Sequence, residues 1–278
     1  MRLRFAAIVL VSVLLAGCGG GAGGTGELPE GDHVHSLGVT TDGELLLGLH
    51  GGLYRSDRGV DWELVGLEGE DAMAIAAGDE PMFVAGHDVL YRSDDGGETF
   101  SALSPPDLPG LDIHGFAQAP TDGDKVYAYV VAHGLYASED AGASWEERAP
   151  IGALPRDVFG LAVVGSDAGT LLMVGPESGI LRSDDGGRSF VKVYDVPTGA
   201  VAVDRNSPEV AWALTAAGLA RSDDSGRTWQ VVSAFDRVEG QPVALVVNQP
   251  LVWVVTEQPR ALYRSNDAGV SWQRVGGQ

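Results

Sequence analysis

Short stretches of alternating apolar and polar residues, separated by turns rich in glycine and aspartate, fill the chain from about residue 33 onwards. One unit reads DIHGFAQA, KVYAYVVA, LYASED and WEERA, and the next reads VFGLAVVG, TLLMVG, LRSDD and SFVKVY. Period-two alternation with many β-branched and aromatic residues is typical of strands. No segment in this region has helical periodicity, so the pattern predicts an all-β domain.

A segment of nine or ten residues recurs six times in this region. Its copies include YRSDDGGETF from Tyr91, YASEDAGASW from Tyr136 and ARSDDSGRTW from Ala220, and the copy from Tyr54 is one residue short. The aligned serines are Ser56, Ser93, Ser138, Ser183, Ser222 and Ser265, spaced 37, 45, 45, 39 and 43 residues apart. A period near 40 with turn signals indicates propeller blades.

The repeat therefore predicts a six-bladed β-propeller with four strands in each blade. Within each repeat, the aspartate accepts backbone N–H groups in a tight turn, the glycine permits positive φ, and the terminal Trp or Phe is buried. The inner strands are expected near residues 34–40, 72–77, 113–118, 158–164, 199–204 and 242–248.

These six segments resemble the Asp-box, or BNR repeat, whose pattern is Ser-x-Asp-x-Gly-x-Thr-Trp. Proteins with this repeat include sialidases, sortilin-type receptors and photosystem II assembly factors, and the resemblance covers residues 33–278. The segments HVHSLGV, HGGLYRS and DIHGF are similar to bacterial lipoproteins labelled BNR-repeat glycosyl hydrolases. That resemblance implies a sialidase-like activity, although the Arg-Ile-Pro motif of sialidases does not occur in this sequence.

The N-terminus has the features of a lipoprotein signal peptide. Arg2 and Arg4 precede an apolar stretch, and Leu15-Ala16-Gly17-Cys18 resembles a lipobox. We therefore expect a signal peptide over residues 1–17, lipidation at Cys18, a glycine-rich linker over 18–32 and the propeller over 33–278. The protein is expected to be exported and held at the extracytoplasmic face of the membrane. Cys18 is the only cysteine, so no intramolecular disulfide can form.

The chain is strongly acidic, with a formal net charge of −21. This charge repels nucleic acid and attracts cations. We expect no nucleic-acid partner and a monomeric protein. The ligand is expected to be a metal ion or a small molecule.

All six histidines lie between His33 and His133. In an up-and-down blade, the first strand starts at the end where the second strand finishes, so these histidines should share the face away from the repeated turns. Imidazole and thioether donors suit copper first and zinc second. Aspartates two residues before two of the ligands, Asp71 and Asp112, are expected to orient them or to add oxygen donors. The predicted ligands are His33, His35, Met73, His87 and His114, with His50 and His133 ranked second.

The same face offers two other interpretations. Arginines opposite carboxylates suit an anionic sugar, and paired carboxyls suit glycoside hydrolysis. The candidate residues for this glycosidase are Arg156, Arg237, Arg260, Asp157 and Glu177, with Glu239 and Glu257 nearby. A protein-interaction or assembly scaffold is the third alternative, since it requires only the fold.

Overall fold

The computed structural model describes residues 27–31, 33–77 and 80–276. The predicted signal peptide and Cys18 lie outside these residues. The described chain forms six four-stranded antiparallel sheets, each with its strands hydrogen-bonded in sequence order. This confirms the predicted six-bladed β-propeller. No helix among the described residues is long and apolar enough to span a membrane.

The first three blades use strands β1 to β12. Blade 1 contains β1 (Val34–Val39), β2 (Leu45–Leu49), β3 (Gly52–Ser56) and β4 (Glu63–Gly66). Blade 2 contains β5 (Ala74–Ala76), β6 (Met82–Gly86), β7 (Val89–Ser93) and β8 (Ser101–Ala102). Blade 3 contains β9 (Ile113–Ala119), β10 (Asp122–Val130), β11 (Gly134–Ser138) and β12 (Glu146–Pro150), followed by one 3-10 turn, Ile151–Ala153.

The last three blades use strands β13 to β24. Blade 4 contains β13 (Gly160–Val163), β14 (Leu171–Gly175), β15 (Gly179–Ser183) and β16 (Val191–Tyr194). Blade 5 contains β17 (Thr198–Val203), β18 (Ala211–Thr215), β19 (Gly218–Ser222) and β20 (Gln230–Ser233). Blade 6 contains β21 (Gln241–Asn248), β22 (Leu251–Glu257), β23 (Ala261–Ser265) and β24 (Gln273–Val275).

The hydrophobic core lies between the blades. Each of six clusters of buried side chains in the described chain joins two neighbouring blades. The ring closes where Leu47 of blade 1 packs in one cluster with Trp253 and Leu262 of blade 6. Every blade uses four consecutive strands, so in the described chain the closure does not involve a strand of one blade pairing into the sheet of another. The closure therefore depends on side-chain packing between blades 1 and 6. It also includes a hydrogen bond from the Val34 amide to Glu257 Oε1, at 2.9 Å.

The repeated turns form as their residue types predict. Ser138 Oγ accepts a hydrogen bond from the Gly142 amide at 2.9 Å and donates one to Asp140 Oδ1 at 2.8 Å. Asp140 also accepts bonds from the Ser144 amide and hydroxyl, which lower the pKa of its carboxyl from 3.8 to about 2. Gly142 has φ of +82°, which only glycine adopts without strain. These contacts stabilise the hairpin between the third and fourth strands.

Candidate metal centre at the channel mouth

The histidines lie at the end of the channel opposite the repeated turns, as the strand order requires. In blade 1, Val34 of β1 pairs with Leu49 of β2. The His50 amide donates to the His33 carbonyl at 3.2 Å. The start of the inner strand and the end of the second strand therefore meet at one mouth of the channel. The mouth is lined by His35, Met73 and His114, each at the start of an inner strand.

Asp71 reaches this mouth because its main chain is held against blade 1. The Ala72 amide donates to the Leu49 carbonyl at 3.1 Å, and Ser36 Oγ donates to the Ala72 carbonyl at 2.9 Å. Gly48 faces the Ala72 carbonyl and Gly86 faces the Asp71 carbonyl, and a Cβ at either glycine would collide with that carbonyl oxygen. The two glycines thus permit the close approach that directs Asp71 into the gap between blades 1 and 2.

The first group of converging side chains, here called the inner triad, comprises His35, His50 and Asp71. His35 Nε2 lies 3.2 Å from Asp71 Oδ1, and His50 Nδ1 lies 3.3 Å from Asp71 Oδ2. One ligand atom from each residue lies within 4.8 Å of those from the other two. Asp71 is 6% exposed, and among the described residues neither of its oxygens accepts a hydrogen bond of normal geometry. A buried carboxylate without hydrogen bonds is costly unless a cation compensates it.

The second group, the outer triad, comprises His87, Asp112 and His114. Asp112 Oδ1 lies 2.8 Å from His87 Nδ1 and 3.5 Å from His114 Nε2. The two imidazole rings stand edge to face with their centroids 5.0 Å apart. The outer triad has the same donor types as the inner one, but its carboxylate is more exposed, at 42%.

Burial lowers the pKa of His35 and of His114. For His35, desolvation is the largest cause, opposed by Asp71 and reinforced by the neighbouring histidines. For His114, desolvation is again the largest cause, opposed by Asp112 and reinforced by His87. Both shifts favour the neutral imidazole. Only neutral imidazole offers a lone pair to a metal ion.

The other predicted ligands occupy different surroundings. Met73 lines the mouth between His35 and His114. The His33 ring lies 6.5 Å from that of His35, and its Nδ1 lies 3.7 Å from Glu257 Oε2. His133 is exposed in the turn after β10 and belongs to neither triad. His50 lies at the end of the second strand of its blade, and for that reason the sequence predicts it only as a ligand of second rank. In the structure His50 completes the inner triad.

Sequence reasoning gave the two aspartates only a supporting role. Asp71 and Asp112 stand at equivalent positions, each two residues before the first inward-facing residue of its blade. His33 and Asp157 occupy the same position in blades 1 and 4. This shared position is the sequence signal that points to a direct role for the two aspartates. It places a polar side chain at the mouth in four successive blades.

The residues of the proposed sugar site have structural contacts. Asp157 accepts hydrogen bonds from the Glu177 amide at 2.6 Å and the Ser178 amide at 2.8 Å, and these bonds secure the turn after β14. Arg260 donates to Glu257 and to carbonyls of the N-terminal segment. Arg156 and Arg237 are exposed on the loops before β13 and β21. Asp157 and Arg260 therefore help to hold loops in place.

No protein-family model and no curated protein matches this sequence. Solved structures do match the fold. A GH74 xyloglucanase from Xanthomonas campestris superposes with a TM-score of 0.59 and 19% identity, over 91% of this chain and 46% of the enzyme. YCF48 from Cyanidioschyzon merolae superposes with a TM-score of 0.56 and 17% identity, over 89% of this chain and 86% of its own.

The Pan2 WD40 domain of Neurospora crassa also superposes, with a TM-score of 0.59 and 9% identity, over 88% of this chain and 79% of its own. The chain spans less than half the length of the GH74 enzymes that it matches. At these identities the similarity shows the propeller fold alone, shared by hydrolases and by other propellers. The protein is thus a six-bladed β-propeller whose channel mouth carries histidines and aspartates.

Proposed function

We propose that this protein is an exported, lipid-anchored, non-catalytic binding propeller that holds a divalent transition-metal ion at the inner triad. The observation that carries the proposal is the geometry around Asp71, with one imidazole nitrogen at 3.2 Å from one oxygen and another at 3.3 Å from the other. Two donors bound to one tetrahedral ion at about 2.0–2.1 Å are about 3.3 Å apart. Each observed separation is close to that value, and one ligand atom from each of the three residues lies within 4.8 Å of the other two.

The donor set favours particular ions. Two imidazoles and one carboxylate suit copper(II) and zinc, and the ordinary affinity series places copper(II) above zinc. Met73 lines the same mouth and offers a thioether, a donor type that copper(I) prefers. The negative charge of the chain, −21, favours cation binding at any exposed site. Copper is therefore the first expectation and zinc the second.

The test is metal titration of protein purified without a histidine tag. We expect wild-type protein to bind copper(II) more tightly than zinc. Both His35→Ala and Asp71→Asn should weaken binding by about tenfold or more. The matched control is His133→Ala, which removes an exposed histidine from the same face and should leave tight binding unchanged. Absence of stoichiometric binding by wild-type protein, or equal losses in all three variants, would contradict the proposal.

The anchoring part of the proposal rests on the lipobox-like sequence that ends at Cys18. In the native host, Cys18→Ser should leave the protein without its lipid and release it from the membrane fraction. Unchanged membrane attachment of that variant would refute lipidation without affecting the metal proposal, because the propeller does not contain Cys18.

A further inference from the structure

The His87 ring links the inner and outer triads. Its Nδ1 lies 2.8 Å from Asp112 Oδ1, and its Nε2 lies 3.6 Å from Asp71 Oδ2. One imidazole thus has a nitrogen toward each carboxylate. Histidine ligands in metal sites commonly have this arrangement, with one ring nitrogen on the ion and the other N–H directed to a carboxylate.

We infer that the mouth holds two metal ions, one at each triad, with His87 as the residue that couples them. This inference rests on the proposed function, because it requires the inner triad to bind the first ion. His87, His114 and Asp112 supply the outer ion with the donor set that His50, His35 and Asp71 supply to the inner one. Without the outer ion, His87 Nδ1 carries the ring proton and donates it to Asp112. When the outer ion binds Nδ1, this proton moves to Nε2, the nitrogen that faces Asp71, a ligand of the inner ion.

The two carboxylates set the order in which the sites fill. Asp71 is 6% exposed and has no hydrogen bond among the described residues, whereas Asp112 is 42% exposed and already accepts a hydrogen bond from His87. The inner ion compensates a buried charge, while the outer ion must replace an existing hydrogen bond and approach a neighbouring cation. Binding is therefore stepwise, with the inner site filled first and the outer site weaker.

The coupling makes the two sites respond differently to substitution. His114→Ala removes an outer ligand that does not contact Asp71, so the inner ion should remain bound with its affinity almost unchanged. His87→Ala removes an outer ligand and also the ring nitrogen that lies 3.6 Å from Asp71 Oδ2. This variant should abolish binding of the outer ion and also change the affinity of the inner triad for its ion.

Stoichiometry is measured by calorimetric titration and native mass spectrometry with copper(II), on folded protein verified by circular dichroism. We expect two ions per chain for the wild type and for the control His133→Ala, and one for His114→Ala. In electron paramagnetic resonance, the second equivalent of copper(II) should broaden the signal of the first by magnetic coupling, and His114→Ala should not show this broadening.

The outcomes separate this inference from the proposed function. One ion per wild-type chain that is lost in His35→Ala but retained in His114→Ala overturns the two-ion inference and leaves the proposed function standing. No bound ion in wild-type protein contradicts both. Two ions whose signals stay magnetically independent, with equal inner-site affinity in His87→Ala and His114→Ala, overturn the coupling through His87.

Discussion

The main-chain carbonyl of Asp71 lies where a Cβ would have to be at Gly86. A side chain at Gly86 therefore displaces the segment that carries Asp71. We expect Gly86→Ala to weaken copper(II) binding at the inner triad by about tenfold, since small displacements of a ligand or its support have effects of this order. The measurement is the affinity for the first equivalent of copper(II), together with the melting temperature.

Blade 4 supplies a matched control for that substitution. Gly175 ends β14, and a Cβ there would collide with the carbonyl of Asp157, as at Gly86 and Asp71. Gly175→Ala should lower the melting temperature to a similar extent but leave metal affinity unchanged, because Asp157 lies outside both triads. Equal affinity losses in the two variants would mean that the effect is general destabilisation.

The repeated turns should differ in strength between copies. In Ser138→Ala, the Gly142 amide loses its acceptor and the Asp140 carboxylate loses a hydrogen-bond donor. We expect a loss of about 1–3 kcal/mol in the free energy of unfolding.

In the shorter first copy, Ser56 Oγ accepts from the Gly59 amide at 2.8 Å. Ser56→Ala should cost less, by about 1 kcal/mol, because the bond to a charged group is the stronger one. Urea unfolding measures both, and a larger loss for Ser56→Ala would contradict this account.

Acid should weaken the repeated turns within a narrow pH range. Five of their aspartates, Asp95, Asp140, Asp185, Asp224 and Asp267, have pKa values lowered from 3.8 to about 2. The folded state binds protons less readily than the unfolded chain, so the stabilisation is fully present above pH 3.8 and is lost as the pH falls toward 2.

A single-site comparison isolates this effect, because acid also reduces the repulsion within a chain of net charge −21. The urea midpoint of Asp140→Asn should lie below that of the wild type at pH 5, and the gap should narrow at pH 2.5. A gap that is independent of pH would exclude a carboxylate contribution from Asp140.

The blade count and most strand positions could be predicted from the sequence, because each blade depends on local residue order. The inner strand expected at 34–40 is Val34–Val39, and the one expected at 113–118 is Ile113–Ala119. The strand expected at 72–77 is shorter, Ala74–Ala76. The reason is that the Ala72 amide bonds to Leu49 of blade 1 and not to β6 of its own blade.

The candidate metal centre could be predicted only in part. Strand order was sufficient to place the histidines on one face, and it brought His35 and His114 to the channel mouth. The convergence of His35 and His50 on Asp71 depends on contacts between blades, at Gly48 and Gly86, which no pattern within one blade reveals. For that reason the sequence gives His50 and His133 the same rank, although His50 lies in the inner triad and His133, after β10 of blade 3, lies in neither triad.

The contact between Arg260 and the N-terminal segment can be tested by proteolysis. Its Nη1 donates to the Pro29 carbonyl at 3.0 Å and its Nη2 to the Gly31 carbonyl at 3.1 Å, while Glu257 holds the guanidinium at 3.3 Å. Arg260→Ala should increase the rate of cleavage after Glu30 by a glutamate-specific protease. Arg237→Ala, which removes an exposed arginine, is the control. Equal cleavage rates would mean that Arg260 does not restrain this segment.

The same contact fixes the direction in which the chain enters the propeller. Arg260 follows β22, whose end lies on the histidine face, so residues 29–31 lie on the same face as the mouth. If Cys18 carries the proposed lipid, eight residues separate it from Glu27, a reach of about 30 Å at most. On that condition, Glu27 lies within about 30 Å of the bilayer surface. The lipid would then keep any ion bound at the mouth close to the membrane, at a distance set by the length of this tether.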